Sequence, residues 1–484
     1  MYKGAIEKWL IGGFLIVCLY VIAMFAAKDS VATSLLFSLS PFIVILFLSI
    51  ASNPFWGLVV IFILNYFIMG ISRYWPIGNL GISTDVMIAI TLIAFILRSA
   101  FKENIEWHRL KNNLLLKSLL IWLVYCVAEV LNPSAVTAAW LSAIRQYTIY
   151  PIFIVIFTTL LFNKLKHLNM VLFLWSVFTL LAVVKVIIQI RFGFDSAEHR
   201  WLNEYTNANT HLLITGIRYF SFFTDAGCFG ASMGYSMVVF GIAAFADKNI
   251  FLRLYYLFVA GAATYAMFVS GTRGAIAVPL VGFALYTICT KNARSILTIS
   301  SLILGAYLFL AYTTIGSSNA SITRMRTAFD KNDASLMVRQ HNRAKLATYM
   351  KDKPFGEGLG LSGSEGEEYA PGRLTTSIPN DSWFVKIWVE TGPIGVTIHV
   401  SLLLFFVGYG LYLILFKIKS KEVRTLLAAI LCGEAGLIVS AWGNPVFLQY
   451  PNGILNYMIQ AFVFMGLQFD KEMEKTNSLE EHEV

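Results

Sequence analysis

Charge is what this chain has least of. Asp, Glu, Lys and Arg make up 13% of its 484 residues, about half of the roughly 25% usual in soluble domains, so a solvated globular surface is excluded. Cysteine is scarce as well: Cys18, Cys126, Cys228, Cys289 and Cys432 are scattered in or beside apolar runs. None forms a CxxC pair, which excludes a disulfide framework and a cysteine-ligated zinc site. The acidic cluster Glu365, Glu367 and Glu368 lacks the ordered carboxylate spacing of a cation loop, so no metal is expected. GEGLG at 356–360 resembles a phosphate cradle, but no strand and no Lys-Ser/Thr follows it, and a nucleotide-binding reading fails. No internal repeat stands out, which argues against a secondary transporter built from paired halves.

What is abundant is hydrocarbon. Hydrophobic residues make up 57% of the chain, and runs near the roughly 20 residues needed to cross a bilayer recur from end to end. The expectation is an all-α polytopic membrane protein of about fourteen transmembrane helices, centred near residues 18, 41, 62, 92, 122, 152, 180, 237, 262, 282, 305, 404, 433 and 460. The first run, Leu10 to Ala27, exceeds a signal-peptide core and reads as a retained span. The net charge of +9 does not imply nucleic acid, because Lys and Arg collect in alternate short connections such as 102–113, 247–253 and 417–424. They read as orientation signals that put both termini in the cytoplasm. The boundaries that follow are 1–192 (N-terminal helices), 193–226 (first long periplasmic connection), 227–315 (central helices), 316–382 (large periplasmic loop), 383–468 (C-terminal helices) and 469–484 (acidic cytoplasmic tail, expected to be disordered).

The long connections carry the chemistry. A helix over Ser335–Asp352 sets Arg339 and Arg343 one turn apart on a face shared with Leu336, Leu346, Ala347 and Met350. Pro354 ends that helix, and Gly356, Gly358, Gly360 and Gly363 then form a loop free to approach a bulky ligand. Arg218 lies in IRYFSFFTDAG and Arg273 in the tight turn SGTRGA. Arginines at three places on one face suit a phosphate or pyrophosphate, whose oxygens match the guanidinium fork; the competing reading is snorkelling anchors at the lipid headgroups. Among carboxylates, Asp381 is the first candidate for a general base and Glu390 the second. Asp381 could instead cap the following helix, and Glu390, two turns inside it, could pair with a neighbouring helix. Lys117, Arg145, Lys185 and Glu434 lie in or near apolar runs and should face the bundle interior, Arg145 and Lys185 lining a carrier pocket in one reading. Asp29 follows the first span in a connection too short for a catalytic acid.

Taken in order, IRYFSFFTDAG, SGTRGA, Arg339 with its helix, KDKPFGEGLG and NDSWFVKIWVETGPIG resemble the O-antigen polymerase and O-antigen ligase superfamily of bacterial envelope glycosyltransferases. The resemblance covers roughly residues 200 to 400. It implies a multi-span inner-membrane fold with one large periplasmic loop containing an amphipathic helix. It also implies transfer of glycan from an undecaprenyl-pyrophosphate-linked oligosaccharide to the hydroxyl of an acceptor glycan, without metal or cofactor. Carried over to this chain, Arg218, Arg273 and Arg339 become donor-phosphate contacts, with Arg343 beside them. In the ligase branch a histidine stands eleven residues before the glycine of the closing pattern; counting back from Gly392 reaches Asp381, and no histidine occurs between His341 and His399. This favours a Wzy-type repeat-unit polymerase, with a ligase as the alternative and a lipid-linked oligosaccharide flippase or transporter as the second. The expected partners are the lipid-linked donor, the acceptor glycan and the bilayer, with a chain-length regulator and a flippase as candidate protein partners.

Overall fold

The computed structural model describes residues 31–75, 81–101, 106–204, 207–213, 216–290, 292–329 and 334–483. Helices dominate: α1 (Val31–Ser52), α2 (Pro54–Tyr74), α3 (Gly81–Phe101), α4 (Leu114–Ala128), α5 (Thr137–Leu161), α6 (Leu165–Phe192), α7 (Ser196–Asn203), α8 (Ala226–Ala243), α9 (Ile250–Val269), α10 (Ala277–Cys289), α11 (Ala293–Tyr312), α12 (Ala320–Arg326), α13 (Ala334–Tyr349), α14 (Trp383–Tyr412), α15 (Lys421–Ser440), α16 (Asn452–Phe464) and α17 (Gly466–Glu483). Among the described residues the strands amount to one two-residue hairpin, Leu212–Leu213 against Gly216–Ile217. The chain is an all-α polytopic membrane protein. Ten described helices are long and apolar enough to cross a membrane, fewer than the fourteen expected. Expected centre 41 falls on α1, and centres 282 and 460 fall on shorter apolar stretches, Arg273–Cys289 and Asn452–Phe464. The expected first span and Asp29 lie outside the described residues. The shortening before α16 has a visible cause. Residues 441–451 fold inward with Val446 and Phe447 fully buried, and the Asn452 and Asn456 amides donate to the Val446 and Phe447 carbonyls at 3.1 and 3.0 Å.

Among the described residues, those of 31–61 and 82–101 form one compact unit, and those of 62–75, 81 and 106–483 form the other. In the first, a side chain at Gly57 would fall 2.3 Å from Thr91 Oγ1, so the glycine sets the approach of two helices. In the second, α8 is the hub. It is apolar all round and 89% buried, as expected of a helix with neighbours on every side. Small residues let its partners close in: a Cβ at Gly433 of α15 would lie 2.6 Å from the Tyr235 ring of α8, the close packing that replaces hydrophobic driving force between membrane helices. By contrast α11 is only 6% buried.

The acidic tail is ordered as α17, against the expectation of disorder. Its carboxylates meet the basic connections: Asp470 accepts from the Lys419 and Ser420 amides at 3.0 and 2.7 Å, and Glu472 from the Leu165 amide at 3.0 Å. Fixed backbone donors give the charged segment partners that its composition did not reveal.

Candidate active site

The site is built on two turns and one helix. The 3₁₀ turn Arg273–Ile276 and the stretch 441–444 abut: Ser440 donates its hydroxyl to the Gly274 carbonyl at 2.8 Å, and a Cβ on Gly274 would lie 3.0 Å from Asn444 Nδ2. Arg339 of α13 reaches the same place, its NH1 3.9 Å from where a Cβ of Gly443 would be. Arg218 follows the small hairpin. It donates to the Thr210 carbonyl and to Thr272 Oγ1, both at 3.0 Å, while its Nε is buried with no hydrogen-bond partner. Burial first, then the charges of Arg273 and Arg339, push the Arg218 guanidinium below its ordinary pKa, with Asp225 opposing. Three expected arginines therefore share one electrostatic neighbourhood. Such convergence of like charge is unfavourable without an anion among them.

Arg343 lies one turn further along α13. Its guanidinium sits 4.8 Å over the Trp442 ring and donates to the Trp442 carbonyl at 3.2 Å. Leu346 and Met350 on the same face are buried, whereas Leu336 and Ala347 are exposed. Arg343 is thus held against protein groups. Asp381 faces Arg339, Oδ1 to Nε 3.8 Å, each about a third exposed. Burial raises the Asp381 carboxyl above its ordinary pKa, and Arg339 and Arg343 pull it back. The capping alternative is not what the structure shows: the N-cap of α14 is Ser382, with no side-chain cap bond, and the Trp383 amide donates instead to the Ala441 carbonyl at 2.9 Å.

Glu390 has a different environment. It is fully buried, and its carboxylate accepts from Tyr147 Oη at 2.7 Å, Ser362 Oγ at 2.6 Å and the Gly360 amide at 3.0 Å. The glycine loop that contributes to this cage is not free for a ligand, contrary to expectation. Inside α14, Gly392 adopts φ 64° and Pro393 has no N–H, so the helix kinks and leaves carbonyls without their usual donors. The Glu357 amide takes the Val389 carbonyl at 2.9 Å and the Gly358 amide takes that of Glu390 at 3.0 Å. The loop can lie that close because Gly356, at φ 79°, has no Cβ; one would fall 2.6 Å from the Glu390 carbonyl.

Other polar groups resolve into structure. Lys185 binds Glu198 at 2.8 Å and Asp195 at 3.2 Å, which ties α7 to α6. Glu365 pairs with Lys386, and Glu367 accepts from the Gly372 amide at 3.1 Å. Asp225 caps α8 through the Gly227 and Cys228 amides at 2.5 and 2.9 Å.

Sequence reasoning missed three groups. Arg324 of α12 donates to the Gly271 carbonyl at 2.6 Å and, like Arg218, flanks Gly271. Trp442 and Asn444 line the opposite side. The basic pair in TRMR was a usable signal for Arg324; nothing local marks Trp442 or Asn444, which enter the site only through the inward fold of 441–451.

Residues 257–400 match a family model described as O-antigen ligase. No curated protein and no solved structure matches the chain. The matched segment holds Arg273, Arg324, Arg339, Arg343, Asp381 and Glu390, while Arg218 and residues 442–444 come from outside it. The match covers under a third of the chain and supports, for this segment, a likeness to the O-antigen ligase and polymerase enzymes of envelope glycan assembly.

Proposed function

We propose that this protein is an envelope polysaccharide polymerase. It takes a glycan from a polyprenyl-pyrophosphate carrier and joins it to the hydroxyl of an acceptor glycan at the periplasmic face of the inner membrane, without a metal. The observation that carries the reading is the Arg339–Asp381 pair, 3.8 Å apart, beside Arg218 and Arg273. A cationic nest for a departing pyrophosphate and a carboxylate for the attacking hydroxyl adjoin one another.

In this reading Arg218, Arg273 and Arg339 bind the phosphate oxygens, with Arg324 and Arg343 completing the positive surround. Asp381 accepts the proton of the acceptor hydroxyl. The oxygen attacks the anomeric carbon, and the bond from that carbon to the pyrophosphate oxygen breaks with its electron pair staying on the phosphate. Fixed positive groups stabilise that charge as it develops, and a pyrophosphate needs no general acid to leave. Before donor binds, Arg339 and Asp381 neutralise one another in part; when the phosphate takes the guanidinium, Asp381 is left more basic beside the acceptor. Glu390, enclosed by three donors, serves as the anchor of the glycine loop in this scheme.

The family description favours a ligase as the second reading, and the absence of histidine between His341 and His399 counts against it. Purified protein supplied with a carrier-linked repeat unit separates the possibilities. A polymerase builds a ladder of lengthening glycan on the carrier. A single transfer to a lipid-anchored acceptor would make it a ligase, and movement of the donor across vesicles without transfer would end the enzymatic reading.

A further inference from the structure

A second cationic site lies at the other end of the helices. A cavity of about 1160 Å³ opens between α8, α9, α10, α11 and α15, larger than the roughly 300–1,000 Å³ of ordinary small-molecule pockets. Its wall is apolar, running from Phe268 and Leu310 past Leu280 and Leu302. At the far mouth stand Arg253, Arg294, Lys421 and Arg424. Arg253 lies in the first turn of α9 and Arg273 comes four residues after its last, so the helix alone separates this mouth from the candidate active site by about 24 Å at 1.5 Å per residue.

The four cations come from three separate connections and meet at one opening. No ion pair among the described residues joins any of them. Arg253 reaches only the Asp247 backbone carbonyl, at 3.5 Å, and the face of Phe245; its Nε is buried with no hydrogen-bond partner. Positive residues near helix ends also serve as orientation signals, but that role does not require residues from three connections to converge on one cavity. The acidic groups nearest this mouth, Asp247 and Glu422, do not line it.

We propose that this cavity binds an anionic phospholipid, with its phosphate among Arg253, Arg294, Lys421 and Arg424 and its acyl chains along the apolar wall. Basic pockets between membrane helices select phosphate headgroups by this complementarity. The lightly packed α11 gives lateral entry from the bilayer. A polyprenyl tail entering from the Arg273 side would bring only hydrocarbon to the far mouth and leave its cations without a partner, so the charge at that end points to a headgroup there.

The test uses full-length protein in phosphatidylcholine nanodiscs titrated with phosphatidylglycerol, together with mass spectrometry of the lipid that co-purifies. Wild type should retain an anionic phospholipid and bind phosphatidylglycerol well above phosphatidylcholine. The triple variant Arg253→Gln, Arg294→Gln, Arg424→Gln should weaken that binding by about a hundredfold, three interfacial cations being removed. Ala306→Trp, which narrows the cavity and leaves all four cations in place, should weaken it as well; this variant tests the wall independently of the charges. Equal retention of neutral lipid, unchanged affinity in both variants, or a polyprenyl phosphate as the retained lipid would overturn the proposal.

Discussion

Arg339 and Asp381 each lack a full complement of partners, and this makes the pair informative. At 3.8 Å it is an ion pair at the limit of contact, about a third exposed on both sides, a geometry that contributes little to stability and leaves both groups free to engage substrate. Burial raises the Asp381 carboxyl above its ordinary value. A general base must be ionised, so transfer should fall as pH drops through that raised value, and the acid limb should lie above the usual carboxylate range near 3.9. Asp381→Asn should remove this limb and lower kcat by about 10²–10⁴-fold. Donor affinity should hold or rise, because Arg339 loses its counter-charge. Near-normal transfer in this variant would take Asp381 out of the mechanism. Arg339→Lys keeps the charge but loses the planar fork, and kcat should fall about 10²–10³-fold, the scale of losing one transition-state donor. Single-turnover rates with carrier-linked donor check both, and wild-type rates in Arg339→Ala would remove the arginine from the site.

At the scale of elements, the glycine loop and the kink in α14 form one device. Pro393 leaves the Val389 carbonyl without its helical donor, and the loop supplies the Glu357 amide in its place. Gly356→Ala would put a Cβ 2.6 Å from the Glu390 carbonyl at a residue with φ 79°. The left-handed conformation alone costs about 1–2 kcal/mol, so a lower Tm and a loosened loop should follow with every arginine intact. Glu390→Gln exchanges an acceptor for a donor inside a cage of three donors, and a cost of about 1–3 kcal/mol should appear in thermal unfolding. Rate loss in that variant without loss of stability would instead make Glu390 a participant in the chemistry. The sequence pointed to a close approach at these glycines, but not to what approached them; the same feature that permits a ligand permits the chain's own kink. Arg339 and Arg343 were legible because four-residue spacing shares a helix face. Trp442 and Asn444 were not, since nothing local records a loop folding inward.

At the scale of the whole molecule, hydropathy revealed the class because length and apolar content are properties of each run by itself. It did not reveal the shortening at 452–464, where residues 441–451 fold inward before the helix begins. Orientation rests on a different observation. Lys417, Lys419, Lys421 and Arg424 gather at the connection between α14 and α15, and the proposed donor site gathers at the opposite end of α14, before Trp383. Excess positive charge in short connections marks the cytoplasmic side, so residues 316–382 should face the periplasm. Two positions test this as a pair: Ser364 is exposed in the loop, and the Lys419 side chain is 80% exposed in the connection. Cys126, Cys228, Cys289 and Cys432 are all buried, which keeps background labelling low once Cys18 is replaced. In intact cells whose outer membrane admits the reagent, a membrane-impermeant maleimide should label Ser364→Cys at once and Lys419→Cys only after the inner membrane is opened. The reverse order would turn the protein over, place its arginine nest in the cytoplasm and end the proposal of periplasmic transfer. Labelling of both positions from the outside would mean that α14 does not cross.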